Sequence, residues 1–133
     1  MKISRFLLNV LTLVIILSAC GGTSAPTATI QSVPADYAGK INPFGEEAAA
    51  IGAVNFNTYC EACHGVTGRG DGPASQGLSP KPANLSDIAA QVGDDYLFWR
   101  ISEGKMGTSM VGWAGVLDEE QIWQIVSFIR TLK

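Results

Sequence analysis

The chain has 133 residues, 47% of them hydrophobic, with 9 Lys+Arg set against 12 Asp+Glu. That length holds one compact domain and a tail. The mildly acidic balance and the lack of a basic run exclude a nucleic-acid surface, which needs clustered Lys and Arg.

In chain order, residues 1–19 read as a targeting segment. Lys2 and Arg5 form a charged start, and residues 6–17 are a largely apolar stretch. A membrane span needs about 20 such residues, so this one is short. The following Leu17-Ser18-Ala19-Cys20 resembles the lipobox of bacterial lipoproteins, whose Cys thiol takes up a diacylglyceryl group. The resemblance implies cleavage before Cys20 and a membrane anchor on it. The other reading is an uncleaved anchor with an incidental Cys, and the order of charged, apolar and small-Cys segments favours lipidation. Each buried CH₂ of such a lipid contributes ~0.8 kcal/mol, and several chains together hold firmly.

Residues 20–42 then carry the lipidated Cys and a stretch rich in Gly, Thr, Ser, Ala and Pro without apolar periodicity. They read as a flexible tether, roughly 25 Å in root-mean-square reach. The folded domain is expected over 43–133. Residues 46–59 have helical composition, with Glu46 and Glu47 at the positive end of the dipole and an Ala run behind them. Gly52, Phe56, Tyr59 and Cys63 share one helical face. Residues 65–82 hold five Gly and three Pro and read as loop. A helix is expected over 94–103, with Leu97 and Ile101 four apart and Gly104 ending it. The last helix is set by Asp118 and Gln121 as a capping box, followed by the stripe Ile122, Ile125, Ile129 and Leu132. No segment alternates with period two, so the fold class is all-α with long loops.

The chemistry concentrates in Cys60-Glu61-Ala62-Cys63-His64. Two thiols three residues apart on a helical turn can meet the two vinyl groups of one porphyrin, and the adjacent His can bind the iron from below. This is the c-type haem attachment pattern. A zinc site would need four ligands, yet beyond Cys20 the chain has two Cys and one His. A thioredoxin-like pair would need a βαβ setting. A disulfide between Cys60 and Cys63 would close a tight ring and leave His64 unexplained. The cluster Gly68-Arg69-Gly70-Asp71-Gly72 follows no strand and lacks dinucleotide-loop spacing.

His64 is the only His, so a second His cannot ligate the iron within this chain. With Met1 removed, Met106 and Met110 remain. Here the chain resembles the class I c-type cytochromes over residues 43–133. Their second axial Met lies before the final helix in a Gly-Thr-x-Met-Pro-aromatic stretch. The matching residues are Gly107-Thr108-Ser109-Met110-Val111-Gly112-Trp113, with Val where Pro is common. The resemblance implies His64 and Met110 as iron ligands, with Met106 as runner-up. It also pairs Gly52 and Phe56 on the first helix with Ile125 and Phe128 on the last. The segment Pro80-Lys81-Pro82-Ala83-Asn84-Leu85 resembles the family's proximal loop, in which a Pro carbonyl accepts the His Nδ1–H. Pro82 is favoured for that role over Pro80. Trp113 beside the Met loop is the better candidate for a haem propionate donor than Trp99, plain core packing being the other reading.

The resemblance thus implies a small class I cytochrome c fold packed around one covalently bound haem c. A His/Met iron has no open position and suits single-electron transfer in a respiratory or photosynthetic chain. The anchored form would work at the extracytoplasmic (periplasmic) face of a bacterial membrane. Its partners would be a quinol-oxidising complex and a terminal oxidase or other acceptor, met as a shuttle or as a fixed subunit. The lipobox, the Asn42-Pro43 approach and the Gly-Asp-Gly-Pro loop resemble the small cytochrome subunit of alternative complex III. The alternative function is a haem-based ligand sensor or peroxidase-like enzyme, which needs a displaceable sixth ligand.

Overall fold

Among the described residues five α-helices are present, and the last organises the rest. The computed structural model describes residues 30–133. The expected signal peptide, Cys20 and the expected tether through residue 29 lie outside the described residues.

In chain order the helices are α1 (Ala49–Tyr59), α2 (Glu61–His64), α3 (Leu85–Ala89), α4 (Asp94–Glu103) and α5 (Glu119–Thr131). The α5 N-terminus is the expected capping box. Asp118 accepts from the Gln121 N–H at 2.8 Å, and Gln121 accepts from the Asp118 N–H at 3.0 Å. Glu119 and Glu120 in its first turn and Arg130 in its last complement the helix dipole. The Asp118 cap contributes about 1 kcal/mol. Ile122, Ile125, Val126 and Ile129 are no more than 4% exposed, and Trp123, Gln124 and Ser127 are buried too. α5 is therefore enclosed on most of its circumference; Ile122, Ile125 and Ile129 of the expected stripe are buried, while Leu132 is half-buried and follows the helix as its C-cap.

The most extensive helix contact is α1 on α5. Gly52 lets the backbones meet, because a Cβ there would run into the Gln124 carbonyl. Phe56 is 1% exposed and its ring lies 5.0 Å from that of Phe128. α1 is preceded by a 3-10 turn over Glu46–Ala48. α4 has the expected bounds and ends at Gly104, whose φ of +77° suits glycine. Phe98 of α4 stacks on Trp123 with centroids 4.1 Å apart. Arg130 ties the helix ends together: its guanidinium lies 2.7 Å from Asp94 and donates to the Val92 and Ala89 carbonyls.

Among the described residues there is no strand, only an isolated bridge between Gly104 and Val111. None of the described helices is long and apolar enough to cross a membrane. Within the loop stretch, Pro73–Gly77 is a 3-10 turn. Just beyond it the short α3 is capped by Asn84, which accepts from the Ser86 N–H at 3.1 Å.

The tether ends earlier than the composition suggests. The compact unit begins at Ser32, and residues 33–42 form a strap laid over α4 and α5. Gly39 donates its N–H to Asp95 at 2.9 Å, and Asn42 donates to the Trp123 carbonyl and the Ser127 hydroxyl at 3.2 and 2.9 Å. The Tyr37 ring lies 6.1 Å from Phe98, and its hydroxyl donates to Glu103 at 2.5 Å. A few spaced anchors hold the strap, so no periodic apolar signal marks it.

The Glu103 carboxylate and partial burial push the Tyr37 phenol from 10.0 up to about 12. The neutral phenol is the favoured folded form. Its contribution is therefore complete below pH 10 and is lost as the pH rises towards 12. Tyr37→Phe should cost about 0.5 kcal/mol at neutral pH, since the contact is open to water. The same substitution should flatten the loss of stability across that alkaline window. Denaturant titrations at neutral pH and at two alkaline points check both results.

Candidate haem-attachment site

The site is built on the turn after α1. Cys60 closes α1 by donating its N–H to the Phe56 carbonyl at 2.8 Å. The Cys63 and His64 N–H groups then reach back to the Cys60 carbonyl at 3.2 and 2.9 Å. Both thiols and the imidazole therefore stand on one helical turn. Gly65, with φ of +78°, ends it.

Cys60 and Cys63 are half-buried and not joined in a disulfide. Burial, and then the neighbouring Cys63, pushes the Cys60 thiol up to about 12. It is held as a neutral thiol. Among the described residues no group of three or more His, Cys, Asp or Glu could hold a metal ion.

Burial lowers the His64 pKa, and a smaller opposing influence comes from the Ala83 backbone. The imidazole is therefore kept neutral, the form that ligates iron. Its Nδ1 is buried and has no partner at hydrogen-bonding geometry. Neither the Pro82 nor the Pro80 carbonyl accepts from it at that geometry. The loop register is set by Gly70 donating to the His64 carbonyl at 2.8 Å and Leu85 donating to the Gly68 carbonyl at 2.7 Å. In that register the Pro82 carbonyl lies against Gly70, where a Cβ would collide with it.

The second candidate ligand sits on a stapled loop. Lys105 donates to the Met110 carbonyl at 3.0 Å, and the Thr108 hydroxyl donates to the Lys105 carbonyl at 2.7 Å. The Met110 N–H donates to that hydroxyl at 3.2 Å. With the Gly104–Val111 bridge, these bonds close a tight turn. Val111 thus belongs to a bridge at the position where Pro is common. Met110 is half-buried, whereas Met106 at the turn is 99% exposed.

Trp113 fastens the loop at both ends of the site. Its backbone N–H donates to the Ile101 carbonyl at 2.9 Å, and its ring lies 5.3 Å from Tyr59, the residue before Cys60. The Phe56 ring lies 6.5 Å from His64. The motif turn and the Met loop are therefore linked through two aromatic side chains. Arg100 was missed in the sequence; it is 8% exposed, with its guanidinium 3.8 Å over Trp99 and 5.2 Å over Tyr96. An Arg flanked by aromatics on an otherwise apolar face is the signal that could have found it.

Two thiols free of a disulfide, a neutral His on the same turn and its buried Nδ1 fit a covalently attached porphyrin. Cys60 and Cys63 would hold it and His64 would ligate its iron.

A family model described as "Cytochrome C oxidase, cbb3-type, subunit III" matches residues 47–129. No curated protein matches. Among solved structures, cytochrome cL of the marine methylotroph Methylophaga aminisulfidivorans is 20% identical with a TM-score of 0.53, covering 82% of this chain and 71% of that one. The c-type cytochrome KustC0563 is 22% identical with a TM-score of 0.51, covering 62% and 96%. A chain of the Kuenenia stuttgartiensis reducing HAO-like protein complex is 23% identical with a TM-score of 0.57, covering 66% of this chain and 45% of that one. At these identities the likeness shows the fold, and the family match supplies the rest. The chain belongs to the family of the cbb3-type cytochrome c oxidase subunit III domain, as a small all-α class I c-type cytochrome whose cofactor is covalently bound haem c.

Proposed function

We propose that this cytochrome is a lipid-anchored, mono-haem carrier of single electrons, with His64 and Met110 as its axial residues. The observation that carries the reading is the stapled Met110 loop joined to the motif turn through Trp113 and Tyr59. Haem c, when bound, supplies a one-electron couple whose potential is raised by sulfur ligation. The protein's part is to present His64 neutral and to hold the Met loop closed against exogenous ligands. A ligand sensor or peroxidase-like enzyme would need that loop to open, and its hydrogen bonds and bridge oppose opening.

The anchor on Cys20 would keep the domain at the extracytoplasmic, periplasmic face of a bacterial membrane. Its donors and acceptors would be a quinol-oxidising complex and a terminal oxidase or another redox protein. The resemblance to the small cytochrome subunit of alternative complex III supports the donor side of that reading.

Met110→Ala should abolish the sulfur-to-iron charge-transfer band and lower the potential by on the order of 0.1 V, part of the ≈ 0.8 V that axial ligands span. Met106→Ala should leave both unchanged. Absorption spectroscopy and a redox titration of purified holo-protein check this. Rapid CO binding by the reduced wild type would overturn the carrier reading in favour of the sensor.

A further inference from the structure

A groove of about 780 Å³ lies between the strap, the C-terminal half of α4 and the start of α5. None of Cys60, Cys63 and His64 lines it, so it is separate from the haem turn. Sites that take up a ligand group run roughly 300–1,000 Å³.

Its walls are acidic. The strap contributes Asp36, α4 contributes Glu103, and the α5 cap and first turn contribute Asp118 and Glu119. Against these four carboxylates the lining sets two cations, Lys40 and the buried Arg100. The Tyr37 phenol registers the excess from inside the groove. Its hydrogen bond to Glu103, its burial, and then the charges of Glu103 and Asp36 all oppose its ionisation. The potential there is negative and favours a cation.

The groove already holds one cation of its own. The Lys40 ammonium lies 5.3 Å over the Phe98 ring and 3.8 Å from Glu119. An aromatic face and a carboxylate together seat it. Among the described residues neither Asp36 nor Glu103 is ion-paired in the same way.

α4 supplies an independent feature. Ser102 lines the groove and is only 5% exposed, and its Oγ has no hydrogen-bond partner. A buried hydroxyl left unpaired is costly, and a protonated nitrogen seated among these carboxylates would donate to it. The groove also adjoins the redox site. Gly104 and Met106 line it, and they are the root and the turn of the Met110 loop.

We infer that this groove is the docking seat for a lysine or arginine side chain on a basic face of the cytochrome's redox partner. The inference rests on the electron-carrier reading and names the chemistry of the partner's contact.

The test uses full-length holo-cytochrome, reduced by native membranes supplied with a quinol and reoxidised by the same membranes under oxygen. At about 50 mM salt, Asp36→Asn/Glu103→Gln should slow at least one of these steps about fivefold. In wild type that step should slow at least about fivefold towards 300 mM salt, as a charged contact does. Glu46→Gln/Asp87→Asn removes the same net charge outside the groove and should stay within about twofold. Ser102→Ala should slow the same step about threefold yet melt no lower than wild type, because its hydroxyl holds nothing within the fold. The visible spectrum and dithionite reduction of every variant should match wild type, which separates lost docking from lost haem function.

Wild-type rates in the groove double variant or in Ser102→Ala would overturn the inference. So would equal slowing by the control pair, or a wild type whose rates ignore salt. Those results leave the carrier reading standing. A wild type that reduces with dithionite but exchanges no electrons with membranes would overturn both together.

Discussion

Cys60→Ala or Cys63→Ala should reduce stable holo-protein by at least about tenfold, with the remaining chain degraded rather than accumulating as folded apo-protein. The compact unit spans Ser32–Lys133, a size at which apolar burial alone is marginal. Its helices are short: α2 has four residues and α3 five, too few to stand without tertiary support. The attached porphyrin would supply core that these segments cannot make for themselves, and two thioether bonds would prevent its loss. Removing one thiol leaves a single link and frees the turn that positions His64. Haem-stained gels and the holo-protein yield from matched cultures check the result. A normal yield of folded apo-protein would contradict it.

Gly52→Ala should cost about 3 kcal/mol, towards the upper end of what overpacking a core does. A Cβ at Gly52 meets the Gln124 carbonyl O and C and comes to 3.0 Å from the Ile125 nitrogen. All three belong to α5 backbone, which cannot rotate away as a side chain can. Alanine's better helix propensity returns at most about 1 kcal/mol, so the collision wins. At 4–8 °C per kcal/mol for a domain of this size, the holo-protein should melt about 12–24 °C lower. The displacement would also carry Phe56 and the Cys60 turn with it, so haem attachment should become less efficient. Gly115→Ala is the control: nothing lies within 4 Å of the added Cβ and its φ is not positive, so the change should stay within about 0.5 kcal/mol. Thermal melts of the three holo-proteins, followed by far-ultraviolet circular dichroism, separate these outcomes.

The two substitutions act on different kinds of information. Cys60, Cys63 and His64 are legible because their chemistry depends on neighbours in sequence: one helical turn brings them together. The same holds for α5, where Asp118 and Gln121 satisfy backbone groups three residues apart, and for α4, ended by Gly104. These interactions close over a few residues, so residue type and spacing suffice to find them. The apolar pair Gly52 and Phe56 is legible for a related reason, since it repeats every helical turn.

Other features depend on segments distant in the chain. The strap is held by Tyr37 on Glu103, Gly39 on Asp95 and Asn42 on Ser127. Its sequence has the composition of a linker because single hydrogen bonds to α4 and α5 do its work. The His64 Nδ1 is left without the Pro82 or Pro80 carbonyl, because the loop register depends on Gly70 and Leu85 reaching across it. The open side of α1, where Ile51 and Val54 are exposed, was also invisible: apolar residues all round say that a helix wants cover but not which side receives it.

The sequence by itself therefore determined the haem turn, the single His, the two Met candidates and the longer helices, all products of short-range geometry. Only the tertiary structure decided where the expected tether ends, how the Met110 loop is stapled and which side of α1 stays open. Those depend on the relative placement of elements dozens of residues apart, and that placement is set by packing on α5.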